Sequence, residues 1–124
     1  MTEVYGIIRK LGATSKYKGY YYVADAVEMA QGIHERPVKV TKDIYPIIAR
    51  KYKSTPSNVE HNIRTLVNLC WMNHKDTLQE IAGCTMSDKP TNSEFIFWCI
   101  ICIVLLKQEQ VTNNKAAYNF SQEI

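Results

Sequence analysis

The sequence predicts an all-α fold of about six helices arranged around a central helix-turn-helix. Three observations carry that expectation. Apolar residues recur at intervals of three and four along most of the chain, which is the period of a helix face. Five glycines and four prolines in 124 residues are too few for the many turns of a stranded protein. The segment KSTPS, residues 53–57, stops one helix and starts another within a few positions. A chain of this length fits one domain with a modest core, and 46% apolar with 22% charged residues is ordinary globular composition.

The first helix is expected over residues 3–11, with Val4, Ile7, Ile8 and Leu11 on one face and Gly12 at its end. GATSKYKG then reads as a basic loop. A second helix over residues 20–33 carries Tyr22, Val23, Ala26, Val27, Ala30 and Ile33, with Gly32 near its end. HERPVKV is a connector, because Pro37 cannot continue a helix at low cost. Thr41 can cap the third helix, whose stripe is Ile44, Ile47, Ile48 and Tyr52. Pro46 falls in or near its first turn, where the missing N–H matters least. Its polar side holds Lys42, Arg50, Lys51 and Lys53.

Pro56 drives Thr55 out of the helical region, so the third helix ends before it. Thr55 or Ser57 caps the fourth, and Ser57 with Glu60 has capping-box spacing. Val59, Ile63, Leu66, Val67 and Cys70 form the face to be buried. Ser57, Asn58, His61, Arg64, Thr65 and Asn68 form the opposite one. A short fifth helix over 76–82 is ended by Gly83, and TMSDKPTN is a loop. Thr91 or Asn92 caps the sixth, with Glu94 in its first turn. Its run of 12 apolar residues, 95–106, has no polar face and needs covering by its own domain or a second copy. The expected division is one helical domain over 1–106 and a polar, frayed tail over 107–124.

The net charge of +3 hides an asymmetry: residues 1–64 carry 11 Lys/Arg against 6 Asp/Glu, and residues 65–124 carry 4 against 6. A basic half suits a phosphate partner or simply a solvated surface. The N-terminus has no apolar leader, and 12 apolar residues fall short of the roughly 20 needed to span a bilayer. A cytoplasmic protein with no membrane partner is therefore expected. Cys70, Cys99 and Cys102 sit in apolar surroundings, as free thiols do in a reducing compartment. Cys99-x-x-Cys102 lacks the basic neighbours of a redox pair. Cys70 and His74 lack a second matched pair of metal ligands, and His34 and His61 have no triad partners in sight. No phosphate-binding glycine loop is present. The reading is a non-enzyme with no catalytic residues, cofactor or metal.

Two helices joined by so short a turn cross steeply, in the manner of a helix-turn-helix, whose second helix reads the major groove of duplex DNA near its N-terminus. The side chains suit that role. Asn58 matches adenine, Glu60 the cytosine amino group, and Arg64 guanine or a phosphate, with His61 beside them. Lys42, Lys51, Lys53, Ser57 and Thr65 are candidates for phosphate contact, with Lys18 and Tyr20 of the basic loop as further ones. The competing reading is a solvated face on which Glu60 and Arg64 pair with each other at i, i+4.

The pieces KGYYYVADAV, IYPIIARKY, TPSNVEHNIR through the tryptophan of LCW, and KPTNSEFI occur in that order between about residues 5 and 96. In this they resemble the C-terminal DNA-binding effector domain of the sporulation stage-zero master response regulator family of endospore-forming bacteria. The resemblance implies an all-helical effector domain, winged-helix-like without a strong wing, whose fourth helix binds promoter boxes as tandem homodimers. It also implies output through RNA polymerase, by contact or by blocking. Where the family typically has base-reading arginines, this sequence has Asn58 and His61, while Glu60 and Arg64 are kept. The family's phosphorylated receiver domain has no room in a chain that begins at Met1. The last helix is more apolar than is usual in the family, which suits a dimer seam. The alternative expectation is a small module that forms mixed dimers with a full-length homologue and blocks it.

Overall fold

The computed structural model describes residues 2–33 and 36–123, the side chains of residues 2 and 110–123 excepted. His34, noted above for lacking triad partners, lies outside the described residues, and so do the side chains of most of the expected tail. The described residues form five α-helices and no strand: α1 (Thr2–Lys10), α2 (Lys18–Gln31), α3 (Tyr45–Lys51), α4 (Pro56–Ala82) and α5 (Asn92–Glu123). A π-helical turn, Val40–Ile44, leads directly into α3.

The expected stripes of α1, α2 and α4 are the buried ones; in α3 Ile44 and Ile48 are buried as expected, but Ile47 is 46% and Tyr52 37% exposed, and Tyr45 and Ala49 face inward in their place. Val4, Ile7, Ile8 and Leu11 of α1 and the following turn are buried, as are Tyr22, Val23, Ala26 and Val27 of α2. Val59, Ile63, Leu66, Val67 and Cys70 of α4 are at most 1% exposed. α2 packs against each of the other four helices and against the π-helical turn. Its run of alanines and valines is small enough to be enclosed on nearly every side. At its N-terminus α2 crosses α4 so closely that a Cβ on Gly19 would lie 2.4 Å from the Asn62 carbonyl oxygen. Only glycine fits that crossing. Gly12 is the other constrained glycine: its φ is +98°, and a Cβ there would lie 2.3 Å from the His74 ring.

Three further features differ from the sequence reading. Thr41 does not cap the third helix. No side chain caps the π-helical turn or α3; the Asp43 carboxylate instead reaches back, accepting from the Lys39 N–H at 2.8 Å and from Arg36 at 2.6 Å. With Asp43 held back toward residue 39, the first turn opens to an i to i+5 bond from the Tyr45 N–H to the Val40 carbonyl. Second, residues 76–82 are helical as expected, but no loop precedes them: they follow the first part of α4 directly across a kink at the non-helical His74 (φ −136°, ψ 38°). Third, the last helix does not stop near residue 106. Its backbone stays helical to Glu123, through the segment expected to be frayed.

Capping follows local chemistry elsewhere. Thr55 caps α4 by accepting from the Asn58 N–H at 3.1 Å, which makes Pro56 the first helical residue and leaves Ser57 out of the capping role. Thr91 and Glu94 form a reciprocal capping box at the start of α5, both bonds 3.1 Å. Among the described residues no helix is long and apolar enough to cross a membrane.

The crossing at Gly19 sets a stability test. Gly19→Ala should destabilise the fold by about 1–3 kcal/mol in urea denaturation, because backbone rather than a side chain must yield. Gly6→Ala, with open space around it, should not destabilise, and serves as the control.

Candidate nucleic-acid interface

The turn between α3 and α4 is built by backbone bonds. The Ser54 N–H donates to the Ala49 carbonyl at 2.8 Å, and the Lys53 N–H donates to the Arg50 carbonyl at 3.4 Å. This is the double bond pattern of a Schellman C-cap, which places one residue in the left-handed region. That residue is Lys53, at φ +54°, where glycine is usual. The backbone therefore carries strain that a glycine would lack, and the lysine side chain is exposed at the apex of the turn.

Beyond the turn, the polar face of α4 is solvent-facing as expected: Ser57, Asn58, His61, Arg64 and Thr65 are exposed, while Asn68 is half-buried. The Arg64 guanidinium donates to the Glu60 carboxylate at 2.9 Å. Both side chains are well exposed, so this i, i+4 pair is worth only about 0.3–0.5 kcal/mol. Arg64 can leave Glu60 for a stronger acceptor with little loss. The Thr65 hydroxyl donates to the His61 carbonyl at 3.1 Å, which ties it to its own helix. Lys18 at the start of α2, Lys53 and Asn58 line one open groove together with Tyr21 and Thr55. Lys42, on the π-helical turn, is exposed too.

Two of the expected phosphate contacts are placed otherwise. Tyr20 is buried, stacked on Tyr5 at 4.9 Å between ring centroids, and its hydroxyl accepts from Arg9 at 3.0 Å. Its position on α2 turns it inward, so it is not available to a partner at the surface. Lys51 is turned toward Asp25 of α2, with its ammonium 3.1 Å from each carboxylate oxygen. The Tyr52 hydroxyl donates to the same carboxylate at 2.6 Å. Desolvation, and then the bond to Asp25, hold the Tyr52 phenol proton on well above the ordinary tyrosine range.

Several residues of this region were missed in the sequence. Asp25 stands in the run YVADAV, and a lone carboxylate among apolar residues was the available signal. Asn92 donates to the Tyr45 hydroxyl at 3.0 Å and to the Glu60 carbonyl at 3.1 Å, pinning the start of α5 to α3 and α4. Lys89 borders a groove shared with Glu60, Arg64 and Asn68. No local pattern announces either contact, because both depend on how the chain folds back.

Cys70 and Cys99 are placed as core thiols, while Cys102 is half-buried and Cys84 exposed. Burial pushes the Cys70 thiol up to about 12 and the Cys99 thiol higher, the reverse of what a redox nucleophile needs. His74 packs its ring over Gly12. Among the described residues no three His, Cys, Asp or Glu side chains gather as metal ligands do.

The domain is all-helical, and a short helix, a tight turn and a long half-polar helix present exposed amide, imidazole and guanidinium groups. The family model described as "Sporulation initiation factor Spo0A C terminal" matches residues 4–103, and the chain belongs to that family. It is a family of DNA-binding regulatory domains rather than of enzymes.

Two measurements check this geometry. Lys53→Gly should raise stability by up to about 1 kcal/mol in urea denaturation, because glycine tolerates the left-handed turn. Thermal stability should also fall at alkaline pH. Tyr52, Cys70 and Cys99 all have folded pKa values raised above their unfolded ones, near 10 for tyrosine and about 8.5 for cysteine. Their contribution is complete below those unfolded values and is lost as pH rises through the folded ones. Tm should therefore drop progressively above about pH 9, and more weakly in Tyr52→Phe.

Proposed function

We propose that this chain is a sequence-specific DNA-binding transcription regulator of the sporulation type. In this reading α3, the turn at Lys53 and α4 act as a helix-turn-helix, and the N-terminal half of α4 lies in the major groove. The observation that carries it is the face of α4: Asn58, His61 and Arg64 exposed over a stripe that is wholly buried, in a chain of a DNA-binding family. Asn58, Glu60, His61 and Arg64 contact bases; Lys18, Lys42, Lys53, Ser57 and Thr65 contact phosphates. The α4 N-terminus adds its own attraction for a phosphate. Residues 1–106 form the DNA-binding unit, and residues 107–123 extend its last helix. The box it reads differs from the family's where Asn58 and His61 replace arginines, since arginine to guanine is the commonest specific contact.

A specific observation supports dimers. Along α5, Phe97, Val104, Leu105 and Leu106 are exposed apolar residues, and Ile100 and Ile101 are only half-buried. A second copy on tandem boxes covers such a stripe. So does a full-length homologue, and a mixed dimer that blocks the homologue is the second reading.

The test is a titration of purified protein on a duplex with the family's promoter box and on a scrambled duplex, across several salt concentrations. Preference for one sequence is expected, with Arg64→Ala weakening binding by about 1–3 kcal/mol and leaving dimerisation intact. Equal binding to both, steep in salt, would mean that only phosphate contacts survive or that the box has changed. Absence of binding together with capture of a full-length homologue would favour the blocking module.

A further inference from the structure

Asp25 is the only charged side chain in the buried core among the described residues, at 5% exposed. It sits mid-way along α2, the helix that touches all the others. Its partners, Lys51 and Tyr52, are the last residue of α3 and its C-cap. They immediately precede Lys53, the left-handed residue that turns the chain toward α4. A buried carboxylate needs paired donors, and here three contacts converge on it from two consecutive residues: 3.1 and 3.1 Å from Lys51 and 2.6 Å from Tyr52. The Tyr52 ring also meets Tyr22 of α2 edge-on, at 5.0 Å. The end of α3 is thus clamped to α2 at the point where the direction of α4 is set.

We infer that Asp25 is a positioning residue for the DNA interface: through Lys51 and Tyr52 it fixes the strained turn that aims α4. In this arrangement the Lys51 charge is engaged by Asp25 instead of by a phosphate. A surface pair would contribute little, but the Asp25 side chain is only 6% exposed, so losing a partner leaves a buried polar group unmatched. The penalty falls on the turn. This inference rests on the DNA-binding reading, and one of its readouts does not need DNA.

The experiment compares wild type, Asp25→Asn, Tyr52→Phe, the double variant Asp25→Asn/Lys51→Met, and Lys53→Gly, at a temperature where circular dichroism shows each folded. Hydrogen exchange at the Lys53 and Ser54 amides should speed up in Asp25→Asn, with α5 amides unchanged. Affinity for the preferred duplex should fall roughly tenfold in Asp25→Asn, and less in Tyr52→Phe. The salt slope of binding should stay at the wild-type value in the double variant, whereas Lys53→Gly should lower it by about 0.9, the loss of one phosphate contact. Unchanged exchange at Lys53 and Ser54 in Asp25→Asn would overturn the clamp whether or not DNA binds. A salt slope lowered by about 0.9 in the double variant would return Lys51 to the phosphates and overturn the assignment. Faster exchange with no DNA binding even by wild type would sink the DNA reading and the interface role together, leaving Asp25 as a brace of the turn.

Discussion

The packing of α4 on α2 is the constraint on which the rest of the domain depends. Val59, Ile63, Leu66, Val67 and Cys70 lose nearly all contact with water, and each of the larger apolar side chains among them contributes on the order of 1.5–3 kcal/mol by burial. A helix so strongly fixed on one side has no freedom to rotate. The opposite side must then face solvent, whatever residues it carries. Exposure of Asn58, His61 and Arg64 is therefore a consequence of the core rather than an independent feature of the surface. Gly19 permits the close approach that makes this packing tight.

Most of that logic was legible in the sequence, because a period of three and four depends only on neighbouring residues. The buried faces of α1, α2 and α4 fell where the apolar spacing put them, and Thr55 and Thr91 cap as short polar side chains before a helix should. What was not legible depends on distant partners. Thr41 caps nothing, and Asp43 is drawn back toward Arg36 and the Lys39 backbone. Lys51 reads as a surface cation until α2 brings Asp25 beneath it, 26 residues away in sequence. Tyr20 reads as a candidate phosphate contact until Tyr5 and Arg9 enclose it. The kink at His74 stands where the ring meets Gly12, a contact between the end of α1 and α4 that no local pattern encodes.

The interface region combines rigidity with local strain. The turn after α3 is fixed by two backbone bonds and braced from α2, yet its apex residue occupies a conformation that most side chains avoid. A glycine at that apex would fold more easily but would remove a cation from the place where two helices meet. The Glu60–Arg64 pair works in the opposite sense: it orders a guanidinium at the surface too weakly to hold it there.

The central place of α2 also bears on how the chain comes into being. Its main packing partner begins at Pro56, and α5, which it also touches, begins at Asn92. A ribosome releases α1 and α2 well before either of those helices. Until α3 and α4 have emerged, Asp25 has no donor, and the valines and alanines of α2 have little surface on which to settle. The N-terminal half thus waits as an unassembled segment, and the domain condenses late, when the last helix supplies Phe95 and Ile96 to close the core. A nascent chain cut short before α5 presents apolar helices without their cover, so a partially made copy is a target for chaperones rather than a weak regulator.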